Sequence, residues 1–574
     1  MQDAMNWLAR DPDPRTREEL QHLIDERMHD ELEDRFTQRL EFGTAGLRGK
    51  VGCGPNRMNR LVIQETATGL GHYLIEHVAN ASMRGVVVGY DGRLDSKQFA
   101  IDTASVLTAL GIKVYLTSDV AATPIVAFGI EHFNAAAAVV VTASHNPPEY
   151  NGFKVYWENG AQIIPPHDAG IAAEIDIAST KPIPLMSLSD AETQGKLVWL
   201  TEGYYQTYRA AINQSPYVSK ETESANTTIT YTAMHGVGAK MAEDLLHDAG
   251  FHKVFSVAEQ REPDGNFPTV NFPNPEEKGA MDLVVNLAKS VDADIACAND
   301  PDADRFAVAV RTDDTARTDD ASYKMLTGDQ VGVLFAHYLL SKPHTKNQLV
   351  GNSIVSSTLL EKVAQSHGAT YFQTLTGFKW LANIGMQLED EQNEFLFAYE
   401  EALGYTIGTQ VRDKDGLSAI VVFAQLVEEL KSQGRTVWDL LAQISFEHGV
   451  HTNAQRSIAL DPDSPSIGSK LRAAQPKAIN GVAISVIEDL QSSLRFVIGG
   501  NTEAINLPSS DVLIYHLEDG TRIIVRPSGT EPKVKVYYET VTKFEGTETY
   551  EDTRLRGEED MNKLIEQHQQ ELNA

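Results

Sequence analysis

Thr142-Ala143-Ser144-His145-Asn146-Pro147-Pro148 carries a hydroxyl, an imidazole and an amide on consecutive side chains, and Asn151-Gly152-Phe153-Lys154 brings a lysine ten positions after the serine. Two prolines and the Asn-Gly pair forbid continuation as strand or helix, so Ser144 sits on a sharp loop. The preceding run Ala135–Val141 is small and then branched, which predicts a buried strand. A hydroxyl at the carboxyl end of such a strand stands where open α/β sheets place chemistry. A tight turn whose Ser and Asn satisfy local backbone groups is the other reading, and both are open on this stretch alone.

A second stretch, Asp300-Pro301-Asp302-Ala303-Asp304-Arg305, follows the apolar strand Asp294–Ala298. Three carboxylates at alternate positions repel one another unless a cation sits among them, and on a loop they turn inward onto one hard metal such as Mg²⁺. An EF-hand needs Gly at position 305 and Glu at 311, where arginines stand. A haloacid-dehalogenase-type nucleophile needs Thr or Val two residues after its second Asp. A solvated acidic turn is disfavoured, because carboxylates this dense beside a buried strand are costly without a partner.

Further loops offer weaker signals. Arg526-Pro527-Ser528-Gly529-Thr530-Glu531-Pro532 combines a guanidinium fork, two hydroxyls and free backbone N–H groups, a cradle for a phosphate or a surface hairpin. Phe42–Gly49 is glycine-rich and contains Arg48, which suits either close approach to a phosphate or a simple turn. Glu400 and Glu401 follow the apolar Phe395-Leu396-Phe397, and loop carboxylates can accept bidentate bonds from vicinal sugar hydroxyls. Thr376-Gly377-Phe378-Lys379 and Asp413-Lys414-Asp415-Gly416 each bring a lysine to a turn.

The elements that position these loops repeat. A strand and turn at Gly85–Arg93, a helical stretch to Leu110 and a strand from Gly111 form one unit. Thr227–Gly236, a helix to Ala249 and a strand from Gly250 form the second, and Leu349–Val355, a helix to His367 and a strand from Gly368 the third. Strand, turn, helix, C-cap glycine and strand recur in that order, which predicts three similar βαβ domains. Short strands at Val482–Ile487, Leu494–Ile498, Val512–Tyr515 and Val534–Tyr538, with a terminal helix carrying Met561, Leu564 and Ile565, predict a smaller C-terminal α+β domain. Residues 1–40 read as helical, with Leu20, Leu23, Ile24 and Met28 at helical spacing and Pro14 near a helix start, and form a packing extension. The segments Thr180–Gly195 and Asp461–Ser466 read as edges or linkers.

At 574 residues the chain is too long for one core, and three to five domains are expected. It is 42% hydrophobic and 22% charged, an ordinary globular balance, and no apolar run is long enough to span a bilayer. A net charge of −31 argues against nucleic acid and anionic membranes, though not against a small anionic substrate held by local cations. Two cysteines and a polar, acidic start without a signal-peptide pattern lead to an expected cytoplasmic location.

Taken in this order from about Phe42 to Glu539, the loops resemble those of the α-D-phosphohexomutases, the phosphoglucomutase/phosphomannomutase family, with Thr-Ala-Ser-His-Asn-Pro and Asp-Pro-Asp-x-Asp-Arg as the most specific motifs. The resemblance implies an α/β chain of four domains around a central cleft: 1–212 with the serine loop, 213–325 with the metal loop, 326–455 with the sugar loop and 456–574 with the phosphate loop. It implies that Ser144 is phosphorylated in the resting enzyme, and that Asp300, Asp302 and Asp304, with a phosphoryl oxygen on Ser144, hold Mg²⁺. Arg48, His145, Lys154, Arg305 and Lys414 match positions that handle the phosphoryl group and its protons. Thr376, Gly377 and Lys379 match the loop contacting the sugar, Glu400 the acid that grips two hydroxyls, and Arg526, Ser528, Gly529 and Thr530 the cradle for the non-reacting phosphate. The expected reaction interconverts glucose 1-phosphate and glucose 6-phosphate through glucose 1,6-bisphosphate, in a monomer or homodimer. Lys154 or Lys414 would serve as acid/base if neighbouring cations and burial lower its pKa.

One departure matters. The family's sugar loop usually reads Gly-Glu-x-Ser, and here Tyr399-Glu400-Glu401-Ala402 lacks the serine. This resembles a subgroup that includes phosphopentomutases and sugar-bisphosphate synthases. Phosphomannomutase and phosphopentomutase activity are therefore the alternatives, followed by a sugar-bisphosphate synthase, a phosphatase and a non-catalytic sugar-phosphate-binding protein.

Overall fold

The computed structural model describes residues 2–43, 46–218, 225–312, 322–459, 467–527 and 533–573. Asp461–Ser466, expected as a linker, and Ser528, Gly529 and Thr530 of the expected phosphate cradle lie outside the described residues. The chain divides into two compact units, Met1–Gly328 with Gly377–Gly434, and Asp329–Thr376 with Arg435–Ala574.

The first unit opens with helices Gln2–Arg10, Pro14–Asp25 and His29–Phe36. Asp13 caps the second helix through its side chain, and Pro14 occupies the first turn, where its missing N–H is harmless. Leu20 and Leu23 are buried as the helical spacing requires, whereas Met28 lies at the turn into the third helix and is exposed.

A seven-stranded mixed sheet follows. In spatial order its strands are Phe42–Gly43, Gly46–Lys50, Tyr150–Trp157, Ala137–Val141, Val86–Tyr90, Val114–Thr117 and Leu197–Leu200. The strand Ala137–Val141 is fully buried, parallel to Val86–Tyr90 on one side and antiparallel to Tyr150–Trp157 on the other. That position explains its unbroken apolar sequence. Helices Arg60–His77, Ser96–Ala109 and Thr123–Phe133 cover this part of the unit.

A five-stranded sheet comes next, in the order Tyr323–Met325, Ala307–Arg311, Ile295–Ala298, Ile229–Thr232 and Val254–Ser256. The last three run parallel and the first two antiparallel. The unit also holds the antiparallel pair Asn393–Glu400 and Gly404–Ile407.

In the second unit Asn347–Ser353 runs parallel to Thr370–Thr374, with helix Leu359–Ser366 between them in sequence. An antiparallel sheet of short strands from Val450–Ala459 to Lys533–Thr542 then packs its apolar face against the terminal helix Tyr550–Asn573 through Met561, Leu564 and Ile565. The class is the expected one: three α/β stretches and a C-terminal α+β stretch. The expected third segment, 326–455, contributes to both units.

The glycines expected to end the repeated helices, Gly111, Gly250 and Gly368, all adopt positive φ, at 83°, 89° and 69°. The left-handed region is open to glycine without a Cβ penalty, so one device terminates all three helices. Among the described residues no helix is long and apolar enough to cross a membrane.

Candidate active site

Ser144 leaves the central strand in the left-handed region, φ 50°, and an internal frame holds it there. Its N–H donates to Thr142 Oγ1 at 2.8 Å, and the Thr142 hydroxyl donates to Asp91 Oδ2 at 2.6 Å. Arg93, only 4% exposed, spreads its guanidinium over four carbonyls of the same loop. It donates to Ser144 O at 2.7 Å, Asn146 O at 2.6 Å, Pro147 O at 2.8 Å and Tyr150 O at 3.0 Å. A loop with two prolines cannot satisfy these carbonyls by regular structure, and the arginine does so from inside. Gly152 is required across the sheet, since a Cβ there would lie 2.5 Å from Thr142 O.

The Ser144 hydroxyl donates to Asp300 Oδ2 at 2.6 Å and lies 3.2 Å from His145 Nδ1. Asp300 opens the second loop, whose turn is closed by Arg305 N donating to Asp300 Oδ1 at 3.0 Å and by Ala303 at φ 54°. Asp300, Asp302 and Asp304 are fully buried or nearly so, and each offers a carboxylate oxygen within 4.8 Å of the others. Lys154, on the strand Tyr150–Trp157, donates from Nζ to Asp302 Oδ2 at 2.7 Å and Asp304 Oδ2 at 2.8 Å. Lys414 approaches Asp304 Oδ2 at 3.3 Å and Asp413 Oδ1 at 3.1 Å.

These bonds leave Asp302 Oδ1 and Asp304 Oδ1 buried without a hydrogen-bond partner. A buried carboxylate oxygen without a donor is costly, and two of them in one group of hard oxygen ligands fit a divalent cation such as Mg²⁺. Asp300, Asp302 and Asp304 are the residues that would hold it.

The charge states follow from the packing. Burial alone disfavours the charge on Asp304, yet Lys154, Lys414 and Arg305 override it and hold its carboxyl far below the usual range. Asp302 moves the other way, because burial and the neighbouring Asp304 outweigh Lys154. Burial, with Arg305 and Arg48 nearby, holds the His145 imidazole well below its ordinary value, so it is neutral near pH 7.

Burial pulls both lysines down, but carboxylates more than offset it: Asp302 and Asp304 raise Lys154, and Asp304 and Asp413 raise Lys414. The condition set on these lysines as acid/base groups, a lowered pKa, is therefore not met. Their nearest charged neighbours are carboxylates, and both ammonium groups stay charged.

Arg48, on the strand Gly46–Lys50, donates to Asn146 Oδ1 at 2.6 Å. Arg305 donates from Nη1 to the Ala402 carbonyl. Phe306 N donates to Leu403 O at 3.1 Å, and Arg305 forms an isolated antiparallel bridge with Gly404. The loop of carboxylates and the 400–404 loop are thus joined through backbone. Glu400 ends the strand Asn393–Glu400 and accepts from Gly377 N at 2.7 Å. Burial and then the adjacent Glu401 raise its pKa.

Arg48, Ser144, His145, Lys154, the three aspartates, Arg305, Gly377, Glu400 and Lys414 are thus linked by contact or by charge within the first unit. Lys379 is half-buried, with its ammonium 5.6 Å from the Trp380 ring centroid. Thr376 belongs to the second unit, and its buried hydroxyl has no partner; Arg526 also belongs there, half-buried on the strand Arg522–Pro527.

Asp91 and Arg93 were not expected as site residues. The signal was present: Tyr90-Asp91-Gly92-Arg93 stands at the carboxyl end of a buried strand, as Ser144 does. Tyr156 and Asp413 were missed as well: the phenol donates to Asp413 Oδ2 at 2.5 Å, while Lys414 faces the other oxygen, Oδ1.

The chain matches four domain descriptions of one family. They are phosphoglucomutase/phosphomannomutase alpha/beta/alpha domain I over residues 39–181, domain II over 205–313, domain III over 327–445 and the C-terminal domain over 471–555. Among curated relatives, a probable phosphomannomutase of Haemophilus influenzae is 40% identical, across 84% of this chain and 92% of the relative. A phosphopentomutase of Homo sapiens is 36% identical, across 94% of this chain and 91% of the relative. A phosphoglucomutase of Staphylococcus haemolyticus is 35% identical, across 88% of this chain and 91% of the relative.

Proposed function

Because the chain belongs to the phosphoglucomutase/phosphomannomutase family and is a sugar-phosphate mutase, an isomerase, we propose that it is a cytosolic enzyme interconverting glucose 1-phosphate and glucose 6-phosphate. The observation that carries the reading is the Ser144 hydroxyl bonded to a carboxylate whose two neighbours each keep an unpartnered oxygen.

In the proposed cycle a phosphoryl group resting on Ser144 Oγ passes to a free hydroxyl of the sugar monophosphate. The P–Oγ bond breaks, a P–O bond to the sugar forms, and glucose 1,6-bisphosphate results. The proton leaving the sugar hydroxyl is matched by the one that Oγ takes up, so the step consumes no acid or base. The bisphosphate then returns its other phosphoryl group to Ser144 by the reverse step. His145 is neutral, with Nδ1 3.2 Å from Oγ, and is placed to exchange that proton. Lys154, Lys414 and Arg305 act as fixed positive charge for the migrating group. A magnesium ion at the three aspartates would neutralise charge on the phosphoryl oxygens. Glu400, its pKa raised by burial, is the proposed acceptor for sugar hydroxyls.

A second reading keeps the chemistry and changes the sugar. Ala402 offers no hydroxyl where the family's sugar loop usually has serine, and a relative of similar identity is named a phosphopentomutase. The test is phosphorus NMR of the full chain with Mg²⁺ and a trace of sugar bisphosphate, offering glucose, mannose and ribose 1-phosphates separately. Fastest conversion of the glucose ester supports the first reading. Fastest conversion of the ribose ester supports the second, and fastest conversion of the mannose ester makes the enzyme a phosphomannomutase. Release of inorganic phosphate from every ester, or full turnover by Ser144→Ala, overturns the mutase mechanism.

A further inference from the structure

Asp302 is held from two sides. Lys154 supplies one donor to Oδ2. The other comes from Thr123, a fully buried residue 179 positions away in sequence, whose hydroxyl donates to the same Oδ2 at 2.6 Å. Thr123 also donates its backbone N–H to the Asp302 carbonyl at 2.9 Å.

Both bonds have a local cause. Thr123 opens the helix Thr123–Phe133, so its N–H has no acceptor inside the helix. Ala122 is the extended N-cap, and Pro124 occupies the first turn, where its missing N–H is harmless. The helix start is itself fixed to the strand that leads into Asp91, through Ala121 N donating to Tyr90 O at 2.9 Å. Asp91 N in turn donates to Val141 O at 3.1 Å, and Val141 ends the strand from which the Ser144 loop departs. The same sheet edge therefore positions the serine and, through Thr123, the middle carboxylate.

We propose that Thr123 is a positioning residue for the cation site: it holds the main chain and one oxygen of Asp302 and thereby commits the other oxygen, the unpartnered Oδ1, to the ion. The inference rests on the reading of the three aspartates as a cation site. Thr123 does not touch the reacting atoms. Its contribution is to fix one carboxylate rotamer before the ion arrives, a service that outer partners of ligand residues supply at metal sites, where their loss costs about 10–100-fold in affinity.

The test is Mn²⁺ binding to the full-length protein, followed by electron paramagnetic resonance titration of free ion, for wild type, Thr123→Val, Thr123→Ser and Asp302→Asn. Valine keeps the shape and removes the hydroxyl, and serine restores it. The expected result is binding about 10–100-fold weaker in Thr123→Val, wild-type affinity in Thr123→Ser, and a parallel rise in the Mg²⁺ concentration for half-maximal turnover in the valine variant alone. If the valine variant does not fold, Thr123→Ala takes its place with the same expectation. Undiminished Mn²⁺ binding in Thr123→Val, with Asp302→Asn impaired, overturns the role of Thr123 and leaves the cation site standing. Binding in Asp302→Asn equal to wild type, or none in wild type, overturns the site and the positioning role together.

Discussion

Glu65 and Asp302 are both carboxylates with no solvent exposure, in the same unit, and they are completed in opposite ways. Glu65, on the helix Arg60–His77, gives one oxygen to Arg10 at 2.7 Å and the other to Arg39 at 2.5 Å. Asp102 nearby is treated likewise: Arg60 donates to both of its oxygens, at 2.7 and 2.8 Å. Nothing is left over, and the N-terminal helices are fastened to the first sheet's helices. Asp302 and Asp304 receive two ammonium groups and a hydroxyl between them, with the Arg305 guanidinium 4.0 Å from Asp304 Oδ1, yet each retains an oxygen without a hydrogen-bond donor. Buried charge by itself does not mark a site. Two unfinished acceptors within one group of carboxylates are what set this cluster apart, because folding has paid their desolvation without returning a bond.

The sharpest way to break this comparison is to exchange the outcomes. Asp302→Asn should lower turnover by about 10²–10³-fold while changing stability in cation-free buffer by less than about 1 kcal/mol, since an unfinished acceptor contributes little to the fold. Steady-state kinetics beside urea unfolding would check both halves.

A third kind of buried titratable group sharpens the contrast. His568, 4% exposed, has neither an ion pair nor an unfinished acceptor: Tyr538 OH lies 3.0 Å from its Nδ1, and burial pushes its pKa down to about 4. The unfolded chain takes up this proton near pH 6.5 and the folded one only near 4. Its share of stability is therefore complete above 6.5 and is lost as pH falls through that window, by about 3 kcal/mol. His568→Gln should flatten that slope in unfolding midpoints measured from pH 7 to 4.

Glu65→Gln should do the reverse of Asp302→Asn. It should cost about 2 kcal/mol of stability, moderated because Arg10 and Arg39 are partly exposed, and leave turnover per folded molecule unchanged. The smallest effect concerns a position where no charge is at stake. Ala402→Ser adds one hydroxyl to the sugar loop and should raise the ratio of kcat/KM for glucose 1-phosphate over ribose 1-phosphate about fivefold, one hydrogen bond's worth.

Sequence reading reached the strands and loops where apolar runs meet proline and glycine, because those signals are local. Ala135–Val141 before Thr142, and Asp294–Ala298 before Asp300, needed no partner to be recognised. The three C-cap glycines revealed the repeat for the same reason. What escaped was relational. Arg93 acts on carbonyls 51 to 57 positions away, and Thr123 on a carboxylate 179 positions away; each in isolation is an ordinary polar residue after a strand. The condition set on the two lysines, a lowered pKa, could not be decided before folding, since a sequence gives a lysine's charge and not the company it keeps. Met28 matched the helical spacing and lies exposed because the helix ends before it.

The backbone bridge between Arg305 and Gly404 ties the loop of carboxylates to the segment that follows Glu400. If an ion at the first and a sugar at the second are coupled through it, reciprocity requires each to change the other's affinity by the same factor. A sugar affinity measured at one magnesium concentration would then be a point on a surface, and the order in which ion and sugar arrive could not alter the total free energy of the filled site, only the route by which it is reached.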